Sequence, residues 1–130
     1  MVEMGDLVAR LARDFPEITF VRGERFLFRP PRTVVVAEGE VLLLLHEVGH
    51  ALIGRFEFRT EIERLRIEVA AWEKARELCA QYGVEMDEGL MQDELDSYRE
   101  WLHQKSRCPV CGLTRFQTPD GVWHCPGCDF

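Results

Sequence analysis

The chain has 130 residues, 46% hydrophobic and 30% charged, with a formal net charge of −7. That is the size of one ordinary domain, or of a small domain with a very small appendage, and its composition excludes a disordered chain. The net acidity disfavours nucleic acid as a simple electrostatic partner, and the longest apolar run, Val41–Leu45, is too short to span a bilayer.

The predicted elements follow from periodicity and breakers. Leu7, Val8 and Leu11 recur at helical spacing over residues 5–13, with Asp6 as the expected N-cap and Pro16 as the stop. Residues 17–22 and 25–28 read as two short strands joined across Gly23-Glu24 as a hairpin. Pro30-Pro31 breaks the chain, and the β-branched Thr33–Val36 reads as a third strand. A helix over Glu40–Ile53 is apolar on two sides, hence buried on two sides, and Gly54 can end it. Thr60 followed by Glu63 is a capping box for a helix over 61–82, which Gly83 stops. Asp87 caps a last helix with Leu90, Leu95, Tyr98 and Leu102 as its apolar stripe. Composition changes near Ser106, which predicts a domain over residues 1–105 and a cysteine module over 106–130. Glu3 and Asp6 follow Met1 in place of a basic start and an apolar signal core, so the expected setting is cytoplasmic.

Two constellations carry chemistry. The first is His46-Glu47-Val48-Gly49-His50 on the predicted 40–53 helix. Histidines four residues apart lie about 40° apart around a helix axis, so both rings can reach one ion. Neutral imidazole suits Zn²⁺. Glu47 projects about 100° from His46, beside such an ion rather than on it, where it can take a proton from a water on the metal. A third protein ligand is required, and no histidine follows before His103. On the 61–82 helix, Leu65, Ala71, Trp72, Ala75 and Cys79 fall within about 60° of Glu68, whereas Glu63, Glu73 and Glu77 point the opposite way. A carboxylate at the centre of an inward apolar stripe needs a cation, which makes Glu68 the expected third ligand. Glu61 shares that face and is the competitor, although its first-turn position also suits the helix dipole. Arg64, near the same face, is an alternative partner for a carboxylate there.

The second constellation is Cys108-Pro-Val-Cys111 and Cys125-Pro-Gly-Cys128, separated by the 13 residues Gly112 to His124. Thr114–Gln117, Pro119-Asp120-Gly121 and Val122–Trp123 read as strand, tight turn and strand. This is the spacing of a tetrahedral, coordinatively closed zinc site of four cysteines on a hairpin, whose folding energy comes from the metal. Cys79, on a helix face, reads as core packing. Arg115, Phe116, Trp123 and Phe130 read either as a stacking or peptide-binding surface or as the hairpin's small core.

The His46–His50 helix followed by a glutamate on the next helix resembles the gluzincin zinc metallopeptidases. The short length resembles the minigluzincins, and Glu68-x-x-Ala71 is similar to the glutamate helix of ImmA/IrrE-like peptidases. The resemblance covers about residues 33–82. It implies an α+β, minimal zincin-like fold: a small three-stranded sheet packed on an active-site helix and a glutamate helix. It also implies an outer strand that binds extended substrate, which here falls on Thr33–Val36. Thermolysin-like members carry an Asp one turn after the glutamate ligand, and this chain has Trp72 there. The C-terminal module resembles a zinc ribbon.

The expected function is that of a zinc-dependent metallopeptidase, with Glu47 activating water on a zinc held by His46, His50 and Glu68, and a second, structural zinc held by Cys108, Cys111, Cys125 and Cys128. The expected partner is a protein or peptide substrate, with any nucleic-acid contact confined to the ribbon and no membrane partner. Two alternatives stand. One is a SprT-like protease acting on DNA-associated proteins, whose third ligand is a histidine on a later helix. The other is a silent or latent zincin scaffold with the ribbon as adaptor.

Overall fold

A computed structural model describes residues 2–129. The fold is α+β: α1 (Met4–Asp14), β1 (Thr19–Arg22), β2 (Leu27–Arg29), β3 (Thr33–Val36), α2 (Val41–Ile53), α3 (Glu61–Tyr82), α4 (Glu88–Ser106), β4 (Phe116–Gln117) and β5 (Trp123–His124). The chain divides into two compact units. The first is built from residues up to Phe56 with Ile67–Glu88, and the second from Glu57–Arg66 with residues from Gly89 onward. α3 thus gives Glu61–Arg66 to the second unit and Ile67–Tyr82 to the first. Among the described residues, no helix is long and apolar enough to cross a membrane.

In the first unit, α1 buries Leu7 and Leu11 completely. Its cap is Glu3, whose carboxylate accepts from the N–H groups of Gly5 and Asp6, and not Asp6 as the sequence predicts. A longer side chain one turn upstream does the same work, satisfying two of the orphan donors.

The sheet order is β1-β3-β2, with β1 parallel and β2 antiparallel to β3. Two expectations fall here. Residues on either side of Gly23-Glu24 do not pair as a hairpin, and Thr33–Val36 is the central strand, not an outer one. Val34, Val35 and Val36 are buried at successive positions, so both faces of β3 are covered, and the most apolar strand takes the middle. β1 and β2 carry exposed residues and form the edges. Both edges of β3 are occupied by partners, so no further strand can add to it.

α2 buries Leu44, Leu45 and Val48 completely, and Gly54 ends it in the left-handed region at φ 69°. The other side of α2 meets α3 at Gly49. A Cβ there would lie 2.5 Å from the carbonyl oxygen of Ala71 and 3.4 Å from Cβ of Lys74. Small residues on both helices therefore set a backbone-to-backbone approach, with Ala71, Trp72 and Ala75 of α3 buried. Tyr82 closes the unit: its hydroxyl donates to Asp14 at 2.6 Å, and Arg10 lies over its ring.

In the second unit, Thr60 caps α3 by accepting from the N–H of Glu63. Glu63 answers to the N–H of Arg59, one residue before the position a capping box uses. Glu61 is buried, 7% exposed, and accepts from Nζ of Lys105 at 2.9 Å and from the Tyr98 hydroxyl at 3.2 Å. Its own N–H donates to the side-chain oxygen of Gln117 at 2.8 Å. Arg64 stands among the rings of Phe58, Tyr98 and Trp101. β4 and β5 form the C-terminal hairpin, and Gly121 in its turn sits against the Arg59 carbonyl, where a Cβ would come within 2.5 Å.

Candidate metal centres

The first centre lies on α2 and α3 in the first unit. His46 and His50 occupy successive turns of α2, and the Gly49–Ala71 approach brings Glu68, one turn before Ala71 on α3, up to both rings. Nε2 of His46 is 3.1 Å from one carboxylate oxygen of Glu68, and Nε2 of His50 is 3.2 Å from the other. These three side chains form a group able to hold a metal ion. Ligands 2.0–2.1 Å from a tetrahedral ion lie about 3.3 Å from one another, so the spacing fits zinc and its usual nitrogen and oxygen donors. Glu68 is the carboxylate in this group; Glu61 is engaged by Lys105 and Tyr98 in the second unit.

Burial raises the Glu68 carboxyl's pKa, but hydrogen bonds and charge from His46 and His50 outweigh it and hold the group well below the usual carboxylate range. Glu47 lies alongside, with one oxygen 3.5 Å from Nδ1 of His46. Burial raises its pKa against the pull of the two histidines and of the nearby Phe28 backbone N–H. That N–H comes from β2, an edge strand of the sheet.

Two rings hold the imidazoles flat. Trp72 stacks on His46 with centroids 4.2 Å apart and planes 8° from parallel. Phe28 stacks on His50 at 5.7 Å and 6°. Sequence reasoning places Trp72 on the inward face beside Glu68, and in place of an Asp, without giving it a ring partner, and passes over Phe28. Trp72 was within its reach, one turn beyond Glu68 on the same face. Phe28 was not, because its position depends on which strand lies at the edge.

The second centre lies in the second unit. Cys108, Cys111, Cys125 and Cys128 form a four-sulfur group, with Sγ pairs at 3.8 Å (Cys108–Cys128) and 3.4 Å (Cys111–Cys125). A tetrahedral Zn–S distance of 2.3 Å requires sulfurs about 3.8 Å apart, which again suits zinc. All five cysteines are free thiols. The backbone N–H groups of Cys111 and Val110 lower the Cys108 thiol to about 6. The neighbouring sulfurs push Cys128 up to about 12. Four thiols this close resist joint ionisation unless a cation sits among them. Cys79 is buried beside Met86 in the first unit, as core packing predicts.

No family model, curated protein or solved structure matches this chain. The chemistry therefore rests on the two donor groups themselves. Phe116 stacks on His124 and Arg115 lies over Trp123, so those rings already have intramolecular partners. Phe130, grouped with them by sequence, lies outside the described residues.

The two glutamates are separable by experiment. Glu68→Ala is expected to weaken metal binding at the histidine centre by orders of magnitude, because it removes one of three ligands. Glu61→Ala is expected to leave that affinity within about two-fold while lowering thermal stability, since it removes the buried acceptor of Lys105 and of the Tyr98 hydroxyl. Competitive titration of each variant with a zinc chelator, alongside thermal unfolding, checks both halves.

Proposed function

We propose that the chain is a zinc-dependent metallopeptidase that hydrolyses peptide bonds, with a catalytic ion on His46, His50 and Glu68 and a structural ion on the four cysteines. The observation that carries this reading is the Glu68 carboxylate bridging two ring-stacked imidazoles at 3.1 and 3.2 Å, with the Glu47 carboxylate beside them but outside the ligand set. Three protein ligands leave a fourth position open, the arrangement of a catalytic rather than a structural zinc. When bound there, zinc supplies Lewis acidity and brings the pKa of a water ligand to near 7.

The chain's own groups do the rest. Glu47, its pKa raised by burial, is suited to accept a proton at its carboxylate oxygen and deliver it to a leaving amine. Trp72 and Phe28 fix the two ring planes, so the imidazole nitrogens need no reorganisation to bind. β2 is the edge strand next to Glu47, which makes it, rather than Thr33–Val36, the strand an extended peptide can join.

The nearness of the Phe28 N–H to Glu47 also favours a second reading, a latent centre whose base is masked by its own edge strand. Digestion of unfolded casein by the zinc-loaded chain separates the two. Cleavage that a chelator abolishes and added zinc restores supports the peptidase; two bound zinc ions per chain with no cleavage between about pH 6 and 9 supports the latent centre.

A further inference from the structure

The second unit contains a cleft of about 670 Å³ that the metal centres do not use. It lies where the start of α3, the end of α4 and the hairpin meet, and its lining includes Arg66, Arg99, His103 and Arg115. Its two carboxylates are already engaged: Glu61 by Lys105 and Tyr98, and Glu63 by the N–H of Arg59. Its three arginines outnumber its two glutamates, against a net charge of −7 for the whole chain. Nε of Arg115 is buried and has no hydrogen-bond partner among the described residues, although one terminal nitrogen donates to the Lys105 carbonyl. Arg99 pairs with exposed Asp96, at 3.1 Å. The same lining carries two large apolar side chains left in solvent, Ile62 at 53% and Phe116 at 49% exposed.

We infer that this cleft is a docking site for an acidic segment of a partner polypeptide, one with carboxylates on either side of an apolar residue. Arg66 and Arg99, both exposed, meet the carboxylates as bidentate donors, and Ile62 and Phe116 receive the apolar side chain. A single nucleic-acid strand fits less well. Binding of that kind needs successive open ring faces for base stacking, and of the two large rings in the lining Arg115 already covers Trp123, which leaves Phe116 to offer one. The acidic remainder of the chain also repels a long polyanion more than a short acidic motif.

The test is fluorescence anisotropy with the full zinc-loaded chain and a labelled twelve-residue peptide in which pairs of Asp and Glu flank Leu and Phe. Controls are the same peptide with Lys in place of the acids, and a labelled oligothymidylate. The acidic peptide is expected to bind, the Lys version not to, and affinity to fall steeply with salt. Arg66→Ala with Arg99→Ala, both exposed positions, is expected to weaken binding about ten-fold while leaving the melting temperature and zinc content unchanged. Peptide affinity unaffected by the double variant overturns the proposal. So does tighter binding of the oligothymidylate, or self-association that the double variant abolishes, which makes a second copy of the chain the occupant.

Discussion

Cys125→Ser is expected to unfold the C-terminal hairpin at zinc concentrations that saturate the native chain. The hairpin has almost no core of its own. β4 and β5 are two residues each, and Val110, Leu113, Phe116 and Val122 are 85, 49, 49 and 49% exposed, leaving Cys108 and Cys125 as its buried apolar positions. Structural zinc supplies about 10–16 kcal/mol to modules of this kind, far more than so little apolar burial can. Amide exchange over Thr114–His124 is the measurement, with protection expected to vanish in the variant. Unchanged protection there would mean that the contacts of Gln117 and Gly121 with the start of α3 suffice. Acid acts in the same direction. The zinc-loaded hairpin holds its sulfurs deprotonated and the unfolded chain does not, so stability falls as pH falls and protons compete with the ion for the thiolates.

Glu47→Gln is expected to reduce peptide hydrolysis by about 10²–10⁴-fold, the usual worth of a positioned general base, with both zinc ions retained. Retention follows because Glu47 lies outside the group formed by His46, His50 and Glu68. The fold should also survive, since Gln matches Glu in size and shape and keeps its place beside His46. Initial rates on casein together with zinc analysis of the same sample check it. A variant as active as the native chain would remove Glu47 from the chemistry and place the observed cleavage elsewhere.

How much of this was legible in the sequence depends on the range of the determining contacts. The pairing of His46 with His50 is local, fixed by four-residue spacing on one helix. The arrival of Glu68 beside them was legible one step further out, because helical geometry alone puts it at the centre of an inward face. The cysteine cluster was legible because two short knuckles and a gap of 13 residues leave little choice. Strand order was not. Nothing local tells β1 and β2 to flank β3 instead of each other, and the Gly23-Glu24 turn signal describes a hairpin the sheet does not use. With strand order hidden, the nearness of Phe28 to His50 and Glu47 was hidden too. The α1 cap was missed for a smaller reason: a glutamate reaching back over its own turn is a less common device than an aspartate, and Asp6 offered the commoner one.

The stacking of Trp72 on His46 has an optical consequence. An indole 4.2 Å from an imidazole is within range for its excited state to lose an electron to whatever that imidazole binds. Closed-shell zinc offers no empty d level and should leave the emission bright, whereas Co²⁺ or Cu²⁺ in its place should darken it. The chain has three tryptophans, and Trp101 and Trp123 belong to the other unit, so the change is a fraction of the total and carries the signature of one ring. The fold thus contains its own gauge of which ion occupies the histidine centre, readable without a label.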